Sequence, residues 1–443
     1  MIVRAILLAA GKGTRMKSAR PKVLHEICGR SLLWYALAAL RDAGIDDIIV
    51  VTNRELDPEV LSMGVRSVVQ GEQLGTGHAV RSALDVLAPM AQGRIIVTNA
   101  DMPLVQAQTL RRLLDAATQS EVALLTARMP LPSNFGRIVR NGDRVERIVE
   151  VRDANAEQMQ IEEMNAGIYA FDEAHLRKTI EKVQNKNAQN EYYLTDCIEL
   201  GARAGSYATP VVVEHHEDVL GVNDRTELAR ARAAMNQRLC ERYMREGVTI
   251  LDPATTYLEP ELSIGVDTVI YPGTSISLLS SIGERCTIGP QTRISDSRIG
   301  NDVAIRESVV TESEIGAGSS VGPFAHVRGH AVLAGDNRIG NFVEVKNSEY
   351  ARGAKSAHLS YLGDASIGEE SNIGAGTITC NYDGKAKHRT MIGRNVAIGS
   401  NTSIIAPRTI GDGALTGAGS VVTKDIAPGE RVAGNPAQPL PRP

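Results

Sequence analysis

The chain has 443 residues, more than one ordinary hydrophobic core accommodates, so its length implies two or three domains. Its 48 Lys+Arg against 52 Asp+Glu leave a net charge of -4 with no long basic block, which argues against nucleic acid and anionic membranes as partners. Five cysteines (Cys28, Cys197, Cys240, Cys286, Cys380), odd in number, scattered and without a C-x-x-C pair, speak against a disulfide framework or a zinc site and fit a reducing cytoplasm.

The first element is the apolar run "AILLAA" at residues 5 to 10. It is too short for a signal peptide and runs straight into Gly11-Lys12-Gly13, so it reads as a buried strand. No run approaches the roughly 18 apolar residues of a membrane span. The loop Gly11-Lys12-Gly13-Thr14-Arg15-Met16 fails the dinucleotide pattern G-x-G-x-x-G, because Met16 stands at the third glycine, and it also fails G-x-x-x-x-G-K-[ST]. What remains is a glycine turn whose amides can approach a phosphate, followed by Arg15 and Lys22; such a turn is also commonly structural.

Up to about residue 222, short apolar runs ("AILLA", "DIIVV", "RSVVQ", "RIIVT", "VALLTA") alternate with helical patterns ("LLWYALAALRDAG", "AQTLRRLLDAAT"). Such alternation predicts a mostly parallel sheet covered on both faces, with ligands beyond the carboxyl ends of its strands. Asp101 follows the strand "RIIVT" directly. It stands either where a carboxylate holds Mg²⁺ or where one caps a helix begun by Pro103, and spacing alone does not choose. Residues 223–248 carry good helix formers and a terminal glycine and read as a helical linker.

From 249 to 443 the period changes. Isoleucine recurs every sixth residue at Ile264, Ile270, Ile276, Ile282, Ile288 and Ile294; the count slips by one and resumes at Ile299 and Ile305, and later at Ile392, Ile398, Ile404 and Ile410. No α-helix has that period. Three hexads per turn of chain predict stacked coils of a parallel β-helix. At about 4.8 Å per coil, roughly ten coils make a prism on the order of 45 Å long. The hexads appear interrupted around 346–366 and 379–391, and interruptions of a repeat are where function tends to sit. His358 lies in the first, although a lone histidine is commonly a satisfied surface or core residue.

Three stretches carry a resemblance. "LLAAGKGTRMKSARPKVLHEICGRSLL" resembles the signature of nucleotide-sugar pyrophosphorylases, and "VVQGEQLGTGHAV" (68–80) resembles the base-reading segment of their uridylyl-transferring branch. "AHLSYLGDASIGEESNIGAGTITCNYDG" (357–384) is similar, almost residue for residue, to an acetyltransferase site. Joined to a hexapeptide repeat, they make nearly the whole chain similar to the bifunctional bacterial N-acetylglucosamine-1-phosphate uridylyltransferase/glucosamine-1-phosphate N-acetyltransferase family.

That resemblance implies a Rossmann-like α/β domain (1–222), the linker, and a left-handed parallel β-helix (249–443). It implies acetyl transfer from acetyl-CoA to glucosamine-1-phosphate, then uridylyl transfer from UTP, giving UDP-N-acetylglucosamine, a precursor of peptidoglycan and lipopolysaccharide. By the same resemblance the protein is a cytoplasmic homotrimer with acetyltransferase sites between neighbouring prisms. Two rival readings are a monofunctional pyrophosphorylase whose β-helix regulates or trimerises, and a non-catalytic assembly subunit.

For uridylyl transfer the resemblance implies Arg15 and Lys22 as catalytic cations and Mg²⁺ on Asp101 and Asn223. Leu8, Ala9, Ala10, Gly11, Gln70, Gly75 and Thr76 match nucleotide contacts; Gly136, Glu150 and Asn165 match sugar contacts. Asn99 and Ala100 replace the usual Tyr-Gly before Asp101. For acetyl transfer it implies His358 as general base, a residue suited to taking a proton near neutral pH, with Glu344 orienting it. Arg328 and Lys346 match the grip on the sugar phosphate, and Tyr361 and Asn372 the sugar pocket. Asn381 and Tyr382 match the floor of that pocket and the contacts to acetyl-CoA, with Ala375, Ser400 and Ala418.

The family's Arg-x-Arg-Pro-Gly reads His326-Val327-Arg328-Gly329-His330, which implies a less cationic pocket. Asn435 stands where an arginine toward coenzyme A is expected, implying weaker binding of that substrate. His326, His330 and His358 also invite a zinc reading, as in hexapeptide carbonic anhydrases, but His326 and His330 lie only four apart.

Overall fold

The computed structural model describes residues 2–90, 92–277 and 279–441. It falls into two compact units, Met1–Ala234 and Met235–Pro443.

The first unit is built on a nine-stranded sheet. In chain order its elements are β1 (Ile2–Leu8), a small hairpin β2 (Glu26–Ile27) and β3 (Arg30–Ser31), α1 (Leu32–Asp42), β4 (Asp47–Thr52), α2 (Asp57–Ser62), β5 (Arg66–Val69), α3 (Thr76–Val86) and β6 (Gly93–Asn99). Then come α4 (Ala107–Ala117), β7 (Val122–Arg128), β8 (Arg137–Asn141), β9 (Arg144–Val149), β10 (Glu163–Asp172), α5 (Glu173–Ile180), α6 (Asp196–Arg203) and β11 (Thr209–Val212). The strand order is β11-β7-β10-β6-β1-β4-β5, with β8 on β10 and β9 on β8. All neighbours along that order are parallel except β10, which runs against β6 and β7.

Both faces of the sheet are covered, which is why its central strands read as unbroken apolar runs. In β1, Ala5 and Leu7 join the core that α1 and α4 cover, while Ile6 joins the one beneath α3. Helix α1 starts where the Ser31 hydroxyl accepts the Trp34 N–H at 3.1 Å, and it turns Leu33, Leu37 and Leu40 inward at helical spacing. Each such burial contributes about 1.5–3 kcal/mol. β1 and β6 end level, Leu8 opposite Asn99, so the glycine loop and the Asp101 loop emerge together at the carboxyl edge.

A helix α7 (Arg225–Arg245) carries the chain across the division, and Gly247, at φ 99, ends it. Beyond it the second unit is a parallel β-helix with three faces. One face is a nine-stranded sheet, close to the expected number of coils. The repeating aliphatics stack in register from coil to coil, Ile270 on Ile288 on Ile305, and Ile282 on Ile299 on Ile315, all buried. Where glycine follows the aliphatic residue, as in Ile282-Gly283, it has a local cause. At Gly283 a Cβ would come within 2.6 Å of the Gly300 backbone on the neighbouring coil.

Only one of the two expected interruptions lengthens a coil. Tyr350 stacks on Ile367 after 17 positions, an ordinary coil, and the 346–366 stretch is regular β-helix with extended strands Arg338–Lys346 and Lys355–Gly363 in parallel register. Ile367 stacks on Ile392 after 25 positions, and the excess is the loop around 381–389. Among the described residues no helix is long and apolar enough to cross a membrane.

Candidate active sites

In the first unit the chain leaves β1 at Leu8, turns through Gly11 and Gly13, and forms a 3-10 turn, Thr14–Met16. Gly13 sits at φ 58, and a Cβ there would lie 2.6 Å from the Cβ of Lys22, so only glycine lets Lys22 pass. Met16, which broke the dinucleotide pattern, is buried as a core anchor for the turn. A second 3-10 turn, Lys22–Leu24, buries Val23 and Leu24 and leaves the Lys22 side chain over the edge of the sheet. There its ammonium donates to Asp101 Oδ2 and, at 3.2 Å, to Asn223 Oδ1. Asp101 does not cap a helix, because α4 begins only at Ala107 with Gln106 as its cap.

These groups open on a cavity of about 310 Å³. Leu8, Ala9, Ala10, Gly11, Lys22, Gln70, Gly75, Thr76, Asn99 and Asp101 line it, all of them expected from sequence. Gln70 is buried with its amide 3.2 Å from the Gly75 carbonyl and 3.0 Å from His78 Nδ1. Gly75, at φ 105, lies so close to the Tyr192 carbonyl that a Cβ would come within 2.6 Å of it. The Gly77 N–H donates to that carbonyl at 2.7 Å, fixing the start of α3.

Arg15 is exposed and lies outside this lining. Gly136, Glu150 and Asn165 also lie outside it, and form their own cluster. The Asn165 N–H donates to the Gly136 carbonyl at 2.8 Å, and a Cβ on Gly136 would meet the Glu150 carboxyl at 3.5 Å. Asn99 joins this cluster to the cavity, since its amide donates to the Gly167 carbonyl at 3.3 Å and the Gly167 N–H donates to Asn165 Oδ1 at 3.0 Å. Burial, reinforced by Asp153, Asp196 and Glu191, pushes the Glu150 carboxyl above the usual range, while a hydrogen bond from Thr195 opposes it. Asp196 is pushed up to about 6, chiefly by burial. The cluster is therefore acidic, opposite in character to the Lys22 end.

Asp101 and Asn223 suit a hard divalent cation: one carboxylate and one amide oxygen already converge on a positive charge. Among the described residues no group of three or more His, Cys, Asp or Glu could hold a metal, so a magnesium ion here would draw its other ligands from substrate oxygens.

In the second unit the extended strands set His358 opposite Asn341, and His358 Nδ1 lies 2.8 Å from Asn341 Oδ1. With Nδ1–H donating to that oxygen, Nε2 keeps its lone pair. Below His358 the same corner repeats coil by coil: Gly376 N–H donates to Leu359 O at 2.6 Å, Asn401 N–H to Ala375 O at 2.6 Å, and Gly419 N–H to Ser400 O at 2.7 Å. Ala375, Ser400 and Ala418 thus form a column leading to the imidazole, with small side chains that leave room for a long, thin substrate.

Five positions beyond Asn341 on the same strand, Lys346 lies in register with Arg328, and the Lys387 ammonium adjoins Lys346. That neighbour, and more weakly burial and Arg328, hold the Lys346 amine below the usual lysine value, while Asp364 acts the other way. Two adjoining lysines, with the Glu344-paired Arg328 in register beside them, suit a phosphate. Burial, then Arg328, lowers the His326 imidazole from its ordinary value, while Glu344 acts the other way.

Glu344 is not the partner of His358 within the chain. It lies opposite Tyr361 and pairs with Arg328 at 2.9 Å, because it stands three positions beyond Asn341 along the strand. Asn381 donates to Asp364 and, at 3.4 Å, to the Tyr361 hydroxyl, which overlies Gly363. Tyr382 is exposed in the 381–389 loop, its hydroxyl donating to Gly384 O at 2.8 Å. Asn372, also exposed, pairs with Lys355. The three histidines do not gather: His326 lies opposite Glu344, His358 opposite Asn341, and His330 sits at a corner with its N–H on Glu312 O.

Residues 5–141 match the MobA-like NTP transferase domain, 258–350 the GMPPB C-terminal domain and 389–424 the six repeats of the bacterial transferase hexapeptide family. Proteins named bifunctional protein GlmU match nearly end to end. That of Exiguobacterium sibiricum is 46% identical over 427 residues, covering 95% of both chains. That of Halalkalibacterium halodurans is 45% identical, covering 95% of this chain and 94% of the other. That of Streptomyces avermitilis is 43% identical, covering 96% and 90%. The chain belongs to the bifunctional GlmU family.

In this GlmU-family chain several residues of the two sites escaped the sequence reading. Gln73, which donates to the Ala10 carbonyl, and Glu191 both line the cavity beside Lys22. Asn341 was hidden because its role depends on the register of two coils 17 residues apart. Lys387 was hidden in the inserted loop. Its signal was the basic run "KAKHR" inside a coil too long for the repeat.

Proposed function

We propose that this chain makes UDP-N-acetylglucosamine in two steps at two separate sites. The first transfers acetyl from acetyl-CoA to glucosamine-1-phosphate, and the second transfers UMP from UTP to the product. The observation that carries this reading is the presence in one chain of two built sites. One is Lys22 with Asp101 and Asn223 at the carboxyl edge of a parallel sheet; the other is His358 with Asn341 at the head of the Ala375–Ser400–Ala418 column.

In the first step the sugar 2-amino nitrogen attacks the thioester carbonyl carbon, forming the N–C bond and breaking the C–S bond. His358 Nε2 takes the amine proton and returns one to the departing thiolate, a contribution of about 10²- to 10⁴-fold. Arg328, Lys346 and Lys387 hold the sugar phosphate, and the small-residue column carries the pantetheine arm. In the second step an oxygen of N-acetylglucosamine-1-phosphate attacks the α-phosphorus of UTP in line, and the bond to the β-phosphate breaks to release pyrophosphate. Lys22 and the glycine-loop amides neutralise and position the phosphates; Arg15 adds charge from its exposed turn. Gln70, Gly75 and Thr76 face the uracil, and Asn99, Gly136, Glu150 and Asn165 face the sugar. Magnesium held by Asp101 and Asn223 supplies charge neutralisation on the triphosphate when bound.

The assembly is a homotrimer with acetyltransferase sites between prisms. The exposed Phe324, Phe342 and Leu359 on corners beside His358, and the uncovered Tyr382, support it. A cytoplasmic location agrees with the cysteines, no two of which are joined among the described residues. The intact His358–Asn341 pair and cation cluster disfavour a merely regulatory β-helix.

Separate assays of the half-reactions test the reading. Asp101→Ala abolishes uridylyl transfer and spares acetylation; His358→Ala does the reverse. Loss of both activities in a folded Asp101→Ala protein refutes independent sites.

A further inference from the structure

We infer that Lys22 is the resident cation of the metal position before nucleotide arrives, so that metal entry and Lys22 release are one exchange. The inference rests on the reading of Asp101 and Asn223 as magnesium ligands.

The Lys22 ammonium donates to the same two oxygens that such an ion would take, Asp101 Oδ2 and Asn223 Oδ1, the latter at 3.2 Å. Both charged side chains are largely withdrawn from water, 13% exposed for Lys22 and 20% for Asp101. At that burial the pair is screened far less than a surface ion pair. The root of Lys22 is pinned, because Val23 and Leu24 beside it are buried and Gly13 lies directly against its Cβ. The rest of the side chain borders the cavity, whose wall Lys22 shares with Gly11 of the glycine loop. One ammonium therefore serves two anions: the Asp101 carboxylate before nucleotide binds, and a phosphate at the loop afterwards.

Charge balance sets the order. With no ligand, Lys22 neutralises Asp101. A divalent cation arriving alone must either sit against the ammonium or displace it from the Asp101 carboxylate, and both are costly. A polyphosphate removes that cost by giving Lys22 a new anion. Metal and polyphosphate binding are therefore positively coupled, and the coupling is reciprocal.

Manganese(II) is the probe, with the free-ion electron paramagnetic resonance signal titrated by the full chain without nucleotide. Lys22→Met binds Mn²⁺ about tenfold or more tightly than wild type, within the 5- to 150-fold typical of coupled sites. Lys12→Met, which removes the same charge from an exposed position on the same loop, changes the affinity less than about twofold. Asp101→Asn cancels the gain when added to Lys22→Met. Equal affinity in Lys22→Met and wild type overturns the exchange and leaves the metal ligands standing, as does an equal gain in Lys12→Met. Mn²⁺ binding unaffected by Asp101→Asn in either background overturns the metal reading, and the exchange with it. The unfolding midpoint of Trp34 fluorescence, from the only tryptophan, verifies that each variant is folded. Lys22→Gln replaces Lys22→Met if the latter is not.

Discussion

Replacing Asn341 by alanine removes the acceptor 2.8 Å from His358 Nδ1 while leaving the backbone register of the two strands in place. Without that acceptor both tautomers of the imidazole are populated and the ring is free to turn, so Nε2 faces the amine with a usable lone pair only part of the time. A hydrogen bond of this kind is worth about 0.5–1.5 kcal/mol net. His358 is exposed, which places it in the lower part of that range, and at 1.36 kcal/mol per decade the loss is about two- to sixfold in kcat. His358→Ala removes the base altogether, a loss of about 10²- to 10⁴-fold, so the two variants separate cleanly. The assay is release of coenzyme A thiol with glucosamine-1-phosphate as acceptor, with uridylyl transfer measured on the same preparations. Asn341→Ala lowers kcat, leaves both Michaelis constants near wild type, and leaves uridylyl transfer untouched. An Asn341→Ala enzyme as fast as wild type, or as slow as His358→Ala, refutes the positioning role.

Lys387→Ala raises the Michaelis constant for glucosamine-1-phosphate about tenfold, the lower end of a charge-assisted bond, with little change for acetyl-CoA; an unchanged constant removes Lys387 from the phosphate site. Asp196 is pushed up to about 6, mainly by burial, so its carboxylate costs stability above that pH and nothing below the unfolded value near 4. Asp196→Asn therefore stabilises the first unit at pH 7.5, with the gain fading as pH falls through about 6 and gone near 4. Urea unfolding followed by Trp34 fluorescence checks it, and an equal gain at pH 4.5 and 7.5 contradicts the sign.

Much of the architecture was legible because it is written in periods. Alternating short apolar runs and helical stripes can be buried only by a covered parallel sheet. A six-residue recurrence of isoleucine has no solution other than stacked short strands, each Ile lying on the next. The apparent break at 346–366 misled because polar residues occupy outward positions there; counting stacked inward residues, Tyr350 on Ile367, shows the coil to be of ordinary length. The phosphate loop was legible as far as Gly13 and Lys22, but not the reason for Gly13, which is the approach of Lys22's own Cβ.

Both folds, the two kinds of chemistry and most residues lining the cavity beside Lys22 were legible in the sequence alone, because local spacing and residue type suffice for those. Only the tertiary structure decided which groups meet. Lys22 reaches Asp101 and Asn223 across 79 and 201 positions, His358 takes Asn341 and not Glu344, and Glu344 is committed to Arg328. The physical reason is that side-chain pairing depends on strand register and loop path. A shift of three residues along one strand exchanges an amide for a carboxylate beside the His358 imidazole, and no local pattern records that choice.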